Sequence, residues 1–239
     1  MITDNIAFDW RQIRLVAFDV DGTLYAQRPL RLRIAAALIA HSVRSVSNQT
    51  ISVLKTYRKL RERLGDNETP DFDQVLVRMV AQHHHLDQDL VRGMVAEWME
   101  ERPLGFLARC RYPAAASLFE RVRTSGRAVG VLSDYPAHAK LKAMGLEADY
   151  VVSAGEVGRL KPHPRGLQRL MELAEATPEE TVLIGDRVER DGEAARRAGA
   201  VCLLRSKRRI EGVRTFTRFD DPVFDGLRYS VANAGQWLA

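Results

Sequence analysis

The chain has 239 residues, 46% hydrophobic and 28% charged, enough apolar matter for a real core and with no repeat or low-complexity tract. Its 36 Lys and Arg against 31 Asp and Glu give a formal charge of +5, which favours anionic partners without choosing among phosphate esters, nucleic acid and acidic membranes. The longest apolar run, Ile34 to Ala40, is too short to cross a bilayer.

Met1-Ile2-Thr3-Asp4 shows no basic stretch followed by an apolar one, so no secretory leader is expected and a cytoplasmic location is. The first predicted element is a strand, Ile13 to Val20, whose apolar run Leu15-Val16-Ala17-Phe18 ends on Asp19 and Asp21. From residue 26 to 109 the texture changes. Apolar residues recur at helical spacing, as in Leu32, Ala35, Ala36 and Ile39, then Val75, Leu76, Met79 and Val80, then Leu90, Met94, Val95 and Trp98. Breaks fall at Gly65 to Pro70 and around Arg102-Pro103, and about four helices are expected.

From residue 110 strand and helix alternate. Strands are predicted at Ala128 to Leu132, Tyr150 to Val152, Thr181 to Ile184 and Ala200 to Leu204, with helices at Pro113 to Thr124, Ala137 to Met144, Pro164 to Ala176 and Val188 to Ala198. Such alternation builds βαβ units on a parallel sheet. The fold class is therefore α/β: a Rossmann-like parallel core from residues 1–25 and 110–239, with an α-helical insert at 26–109. Beyond Ser206 a short strand at Thr215-Phe216-Thr217 is expected, and Phe224 to Leu238 reads as a helix or a docked tail. Cys110 and Cys202 each lie among apolar residues and read as reduced core thiols.

Acidic residues fall at the carboxyl ends of the predicted strands: Asp19 and Asp21 after the first, Asp134 after the second, Asp186 after the fourth. In an open parallel sheet those ends form the ligand crevice. Carboxylates gathered there need a cation, and hard oxygen ligands suit Mg²⁺ shared with a substrate phosphate. In Phe18-Asp19-Val20-Asp21-Gly22-Thr23-Leu24 one carboxylate can attack phosphorus while the other handles protons. Gly22 lets the chain turn between strand and loop.

Asp19-Val20-Asp21-Gly22-Thr23, Ser133, Lys161-Pro162, and Gly185-Asp186 with Asp191 together resemble the four motifs of the haloacid dehalogenase-like superfamily, with the insert where that family places a helical C1 cap. The resemblance covers roughly residues 13–25 and 110–204. It implies Asp19 as nucleophile and Mg²⁺ ligand, and Asp21 as acid/base that also meets the metal through its backbone carbonyl. Ser133, the Asp134 amide and Thr23 would contact the phosphoryl group, and Lys161 would neutralise its charge. Asp186 would ligate the metal, with Asp191 supporting it through water or by orienting Lys161. A dehalogenase of this family lacks the second aspartate, because a halide leaves without a proton, so Asp21 favours a phosphatase. Its substrate would be a small-molecule phosphate ester and its cofactor Mg²⁺. Phosphomutase or phosphotransferase, a nucleic-acid-end phosphatase and a non-catalytic phosphate-binding module are the alternatives.

Asp134 stands where many relatives have Asn, and its side chain is expected to turn away from phosphate. His83-His84-His85 reads as a helix end, since neighbouring helical residues cannot share one ion. Arg28, Arg31, Arg33, Arg44, Arg58, Arg61 and Arg63 read mostly as a solvated face, with some free to line a cleft. Arg187 reads as a solvated arginine or a salt-bridge partner, with substrate contact as the lesser alternative, Lys207-Arg208-Arg209 as a surface run, and Trp98, Met94 and Met99 as packing.

Overall fold

The computed structural model describes residues 9–228. After a 3-10 turn at Trp10–Gln12 comes β1 (Leu15–Phe18), then the helical insert: α1 (Gln27–Ser45), α2 (Gln49–Asp66) and α3 (Phe72–His84). It closes with α4 (Gln88–Val95), a π-helical turn (Ala96–Glu101) and α5 (Arg102–Cys110), which follow one another without a gap as a single rod. The remaining elements are α6 (Ala115–Thr124), β2 (Ala128–Ser133), α7 (His138–Met144), β3 (Tyr150–Ser153), α8 (Ala154–Val157), α9 (Arg165–Ala174) and β4 (Thr181–Gly185). A second π turn (Val188–Gly192) leads into α10 (Glu193–Ala198), β5 (Val201–Arg205), β6 (Arg214–Phe216) and a 3-10 segment, Pro222–Arg228. The tail expected from Phe224 onward lies largely outside the described residues.

All six strands are parallel, in the order β3-β2-β1-β4-β5-β6, that of a doubly wound sheet. The four residues of β1 are fully buried, as expected of a strand covered on both faces. Period-two alternation divides them. Val16 and Phe18 join the larger apolar cluster with Leu118, Phe119 and Val122 of α6, while Leu15 and Ala17 meet Leu167 and Leu170 of α9 and Ala195 of α10.

The insert leaves and rejoins the sheet through two linkers lying side by side. Ala26 N–H donates to the Cys110 carbonyl (2.9 Å), Tyr112 N–H donates to the Leu24 carbonyl (3.0 Å), and Tyr25 bridges Arg111. No helix among the described residues is long and apolar enough to cross a membrane.

The helices depart from the expected pattern in two places. The break expected at Arg102-Pro103 does not occur, and the rod runs through it. Proline offers no N–H and crowds the carbonyl four residues back. The wider π turn at Ala96–Glu101, immediately upstream, accommodates this without ending the helix. The chain instead breaks between α1 and α2, where Val46 takes a left-handed conformation. Leu32 and Ile39, two of the apolar residues whose spacing marks the helix, are 73% and 60% exposed. Helix α1 carries apolar residues on both sides, so spacing alone cannot say which side packs.

Candidate active site

The order of the strands reverses at β1, with β2 on one side and β4 on the other. At such a switch point the chain leaves opposite faces of the sheet and opens a crevice beyond the strand ends. Asp19 follows β1 there, its N–H donating to the Ile184 carbonyl (2.8 Å). Asp186 follows β4. Gly22 adopts a positive φ of 103°, and a side chain there would run into the Asp186 carboxylate, so only glycine fits.

The carboxylate of Asp19 is buried and held from two directions. The Thr23 hydroxyl donates to Oδ2 (2.8 Å), and Lys161 Nζ donates to Oδ1. Lys161, delivered by the segment between α8 and α9, also donates to Asp191 Oδ1 (2.6 Å). The other Asp191 oxygen accepts the backbone N–H groups of Asp186 (3.1 Å) and Arg187 (3.0 Å). A side chain at Gly185 would collide with Asp191, which explains the glycine ending β4.

Oxygens of Asp19, Asp186 and Asp191 all lie within 4.8 Å of one another. Burial is the largest influence on Asp19 and pushes its carboxyl well up; Lys161 opposes this, and Asp191 and Asp186 add to it. Burial and then the Asp191 charge push Asp186 up to about 6. Burial disfavours charge on Lys161 too, but Asp19, Asp191 and Asp134 outweigh it and hold the ammonium protonated. Three crowded carboxylates facing one ammonium keep excess negative charge, and an all-oxygen donor set of this kind fits Mg²⁺.

Asp21 stands outside that group. Both its oxygens accept from Lys140 Nζ at 2.7 Å, and the Tyr25 hydroxyl donates to Oδ1. Burial favours its neutral form, but the charge and hydrogen bonds of Lys140, with that of Tyr25, prevail and hold it below the usual carboxylate range.

The remaining expected contacts are arranged less simply. Thr23, expected to touch phosphate, is fully buried with its hydroxyl on Asp19. Its contact is with the carboxylate. Ser133 is also buried, and its oxygen accepts from the Tyr135 N–H at 3.3 Å. Asp134 lines the cavity, Oδ1 accepting the Lys161 N–H (3.2 Å). Its side chain therefore braces the loop that carries Lys161.

Three contributors escaped the sequence reading. Lys140 is one, although a signal existed: it stands on the stripe of Ala137, Leu141 and Met144, where a lysine must be buried. Arg61 is the second: it is one of the arginines left free to line the cleft, and sequence did not say which would do so. It shares the stripe Leu54, Tyr57 and Leu64, is 7% exposed, and lies between the Phe72 and Tyr135 rings, 4.8 and 4.1 Å from their centroids. Such a desolvated cation–π contact is worth on the order of 2 kcal/mol. Its guanidinium donates to the Asp134 carbonyl, and no carboxylate among the described residues pairs with it. Arg190 is the third, reaching from the second π turn to the Lys161 carbonyl (2.8 Å), Glu62 (2.9 Å) and Asp66 (2.6 Å). No periodic signal marks it, because a π turn resets helical register.

Arg187 pairs with Glu62 and Glu189 as expected, α3 ends at His84, and both cysteines are free, with burial pushing the Cys202 thiol up.

The haloacid dehalogenase-like hydrolase family model matches residues 13–199. The chain belongs to that family. Among curated proteins it is 27% identical to a glyceraldehyde 3-phosphate phosphatase of Methanopyrus kandleri, over 89% of this chain and 92% of that one. Among solved structures it resembles a 2-haloacid dehalogenase from Pseudomonas syringae pv. Tomato (20% identity, TM-score 0.66, 90% of this chain and 98% of that one). It also resembles a HAD phosphatase from Thermococcus onnurineus (19% identity, TM-score 0.59, 91% and 99%). Identities this low carry the fold alone.

Proposed function

We propose that this hydrolase is a Mg²⁺-dependent phosphatase of small organic phosphate monoesters, working through an aspartyl-phosphate on Asp19. The observation that carries this reading is the pairing of two differently held carboxylates two residues apart: Asp19 against Lys161 in the acidic group, Asp21 against Lys140 outside it. The phosphatase relative supports it. Asp19, Asp186 and Asp191, with the backbone carbonyl of Asp21, are the residues that would hold the metal. Bound there, Mg²⁺ would offset negative charge on the carboxylates and on a phosphoryl group.

In the proposed reaction the bound phosphate brings negative charge beside Asp21, which favours a proton on that carboxyl. An Asp19 oxygen then bonds to phosphorus as the ester P–O bond breaks, and the leaving oxygen takes the proton from Asp21. Water then attacks the aspartyl-phosphate, gives its proton to Asp21, and frees phosphate and Asp19. Lys161 keeps its charge against Asp19 and the phosphoryl oxygens. The insert, entered and left through the paired linkers, acts as a cap that excludes bulk water.

Asp19→Asn tests the nucleophile. It should fold and lose phosphate release by about four orders of magnitude or more, measured as Mg²⁺-dependent phosphate release from a panel of esters. Activity surviving in that variant would sink the assignment.

A further inference from the structure

The catalytic candidates occupy one end of the cavity. The whole space is about 700 Å³, within the roughly 300–1,000 Å³ that takes a drug-sized ligand and larger than a phosphoryl group with a three-carbon body requires. Two helices of the insert build the other end. On α1, Leu30, Ile34 and Leu38 stand four residues apart on one stripe of the wall. The rod of α4 and α5 supplies the rest: Trp98 and Met99 of its π turn line the wall, and Leu107 continues it two turns on.

This wall is built in advance. Trp98 and Leu107 are 1% and 0% exposed, with Leu30 and Ile34 buried beside them. The Trp98 indole is fixed by the Arg102 guanidinium, 4.0 Å from its ring centroid, and by the His41 ring at 5.1 Å. Charge on the insert's side of the same cavity is largely cationic, from Arg31, Arg58 and Arg61. No Asp or Glu occurs between Asp21 and Glu62.

Trp98 and Leu107 back the wall, and its accessible surface comes chiefly from Leu38 and Met99 with Leu30 and Ile34 beside them. A polyol placed there would shed its hydration without gaining hydrogen bonds. An alkyl or aryl group would gain by leaving water. We infer that the substrate is a phosphate monoester whose leaving group has an apolar body several carbons long, seated on the α1 and α4–α5 wall while the phosphoryl group meets Asp19. This rests on the phosphatase reading and narrows it. It separates the chain from an enzyme dedicated to triose or sugar phosphates.

The test is a series of n-alkyl phosphates from ethyl to hexyl, with glycerol 3-phosphate as the polyol comparison, assayed in Mg²⁺ buffer. We expect kcat/KM to rise about fourfold per methylene, the factor corresponding to burial of one CH₂ (about 0.8 kcal/mol), until the wall is covered. Glycerol 3-phosphate should do no better than ethyl phosphate. A flat or falling series, or preference for the polyol, overturns the inference.

Calorimetry with ethyl- and hexylphosphonate, which have no P–O–C bond to hydrolyse, separates binding from turnover. Hexylphosphonate should bind about two-hundredfold more tightly, four methylenes at about 0.8 kcal/mol each. Chain-dependent binding with no ester turned over would remove the phosphatase reading and leave the apolar subsite standing. Turnover without chain dependence would do the reverse. Leu38→Asn and Met99→Gln change half-buried wall positions and should each flatten the series, with the melting temperature reporting that the variant is folded. If both fold and neither alters the chain dependence, the wall does not read the leaving group.

Discussion

At the scale of single residues, the environment of Asp21 sets the terms for proton transfer. Its carboxylate is gripped by Lys140 and Tyr25, and the proposed acid role asks it to give a proton to a leaving oxygen. An alkoxide needs that proton badly, whereas a nitrophenolate leaves readily without it. Asp21→Asn should therefore lower kcat on alkyl phosphates by about 10²–10⁴ and on 4-nitrophenyl phosphate by much less, read from parallel assays on the two esters. Equal losses would mean that Asp21 acts by position or charge and not as an acid. Lys140→Met removes the ammonium that aligns both oxygens. It should lower kcat on alkyl esters by roughly tenfold to a hundredfold, within the ceiling of the Asp21 contribution, and Asp21→Asn should abolish most of that further effect. The lysine was hidden in plain sequence. Helical periodicity names the stripe on which it lies, but only the packed sheet reveals that Asp21 waits at the end of that stripe.

At the scale of elements, the parallel strands were legible because both faces are covered, so their runs are apolar without alternation. The acidic residues ending β1 and β4 were legible for the same reason: they stop those runs. The π turns were not. Each inserts an extra residue and breaks the 3.6-residue register, so that the faces presented beyond it, and with them the place of Arg190, could not be read in advance. Arg190 ties the second π turn to α2 and to the Lys161 carbonyl. Glu62 and Asp66 are largely exposed, so solvent screens those ion pairs and the bond to the buried carbonyl counts most. Arg190→Met should cost about 1–2 kcal/mol, a fall of roughly 2–8 °C in Tm for a domain of this size. It should also raise KM more than it lowers kcat, because the insert would close less firmly over Lys161. Calorimetry and steady-state kinetics on the same preparation would check both. An unchanged KM would show that the contact serves stability alone.

At the scale of the whole molecule, the doubly wound sheet brings three carboxylates from β1, the end of β4 and the second π turn into one pocket and supplies Lys161 from beyond β3. The metal-free protein bears the repulsion that results. Burial and Asp191 raise the Asp186 carboxyl from 3.8 to about 6, so between about pH 4 and pH 6 the folded chain binds more protons than the unfolded one. Stability then falls as pH rises through that window. Asp19, also pushed up, acts in the same direction. Mg²⁺ bound as proposed would prefer the ionised oxygens, so it would compete with these protons at low pH and bind freely above the window. In calorimetric scans with EDTA or with Mg²⁺, the gain in Tm should be small at pH 5 and larger at pH 7.5. At a hundredfold excess over the dissociation constant it reaches about 2.7 kcal/mol, or roughly 5–11 °C. Asp186→Asn should raise the metal-free Tm at pH 7.5 by removing one buried charge, and should remove most of the Mg²⁺ response. A Tm at pH 7.5 indifferent to Mg²⁺ in the unaltered protein would mean that the three carboxylates are balanced by Lys161 alone and that the metal assignment is wrong.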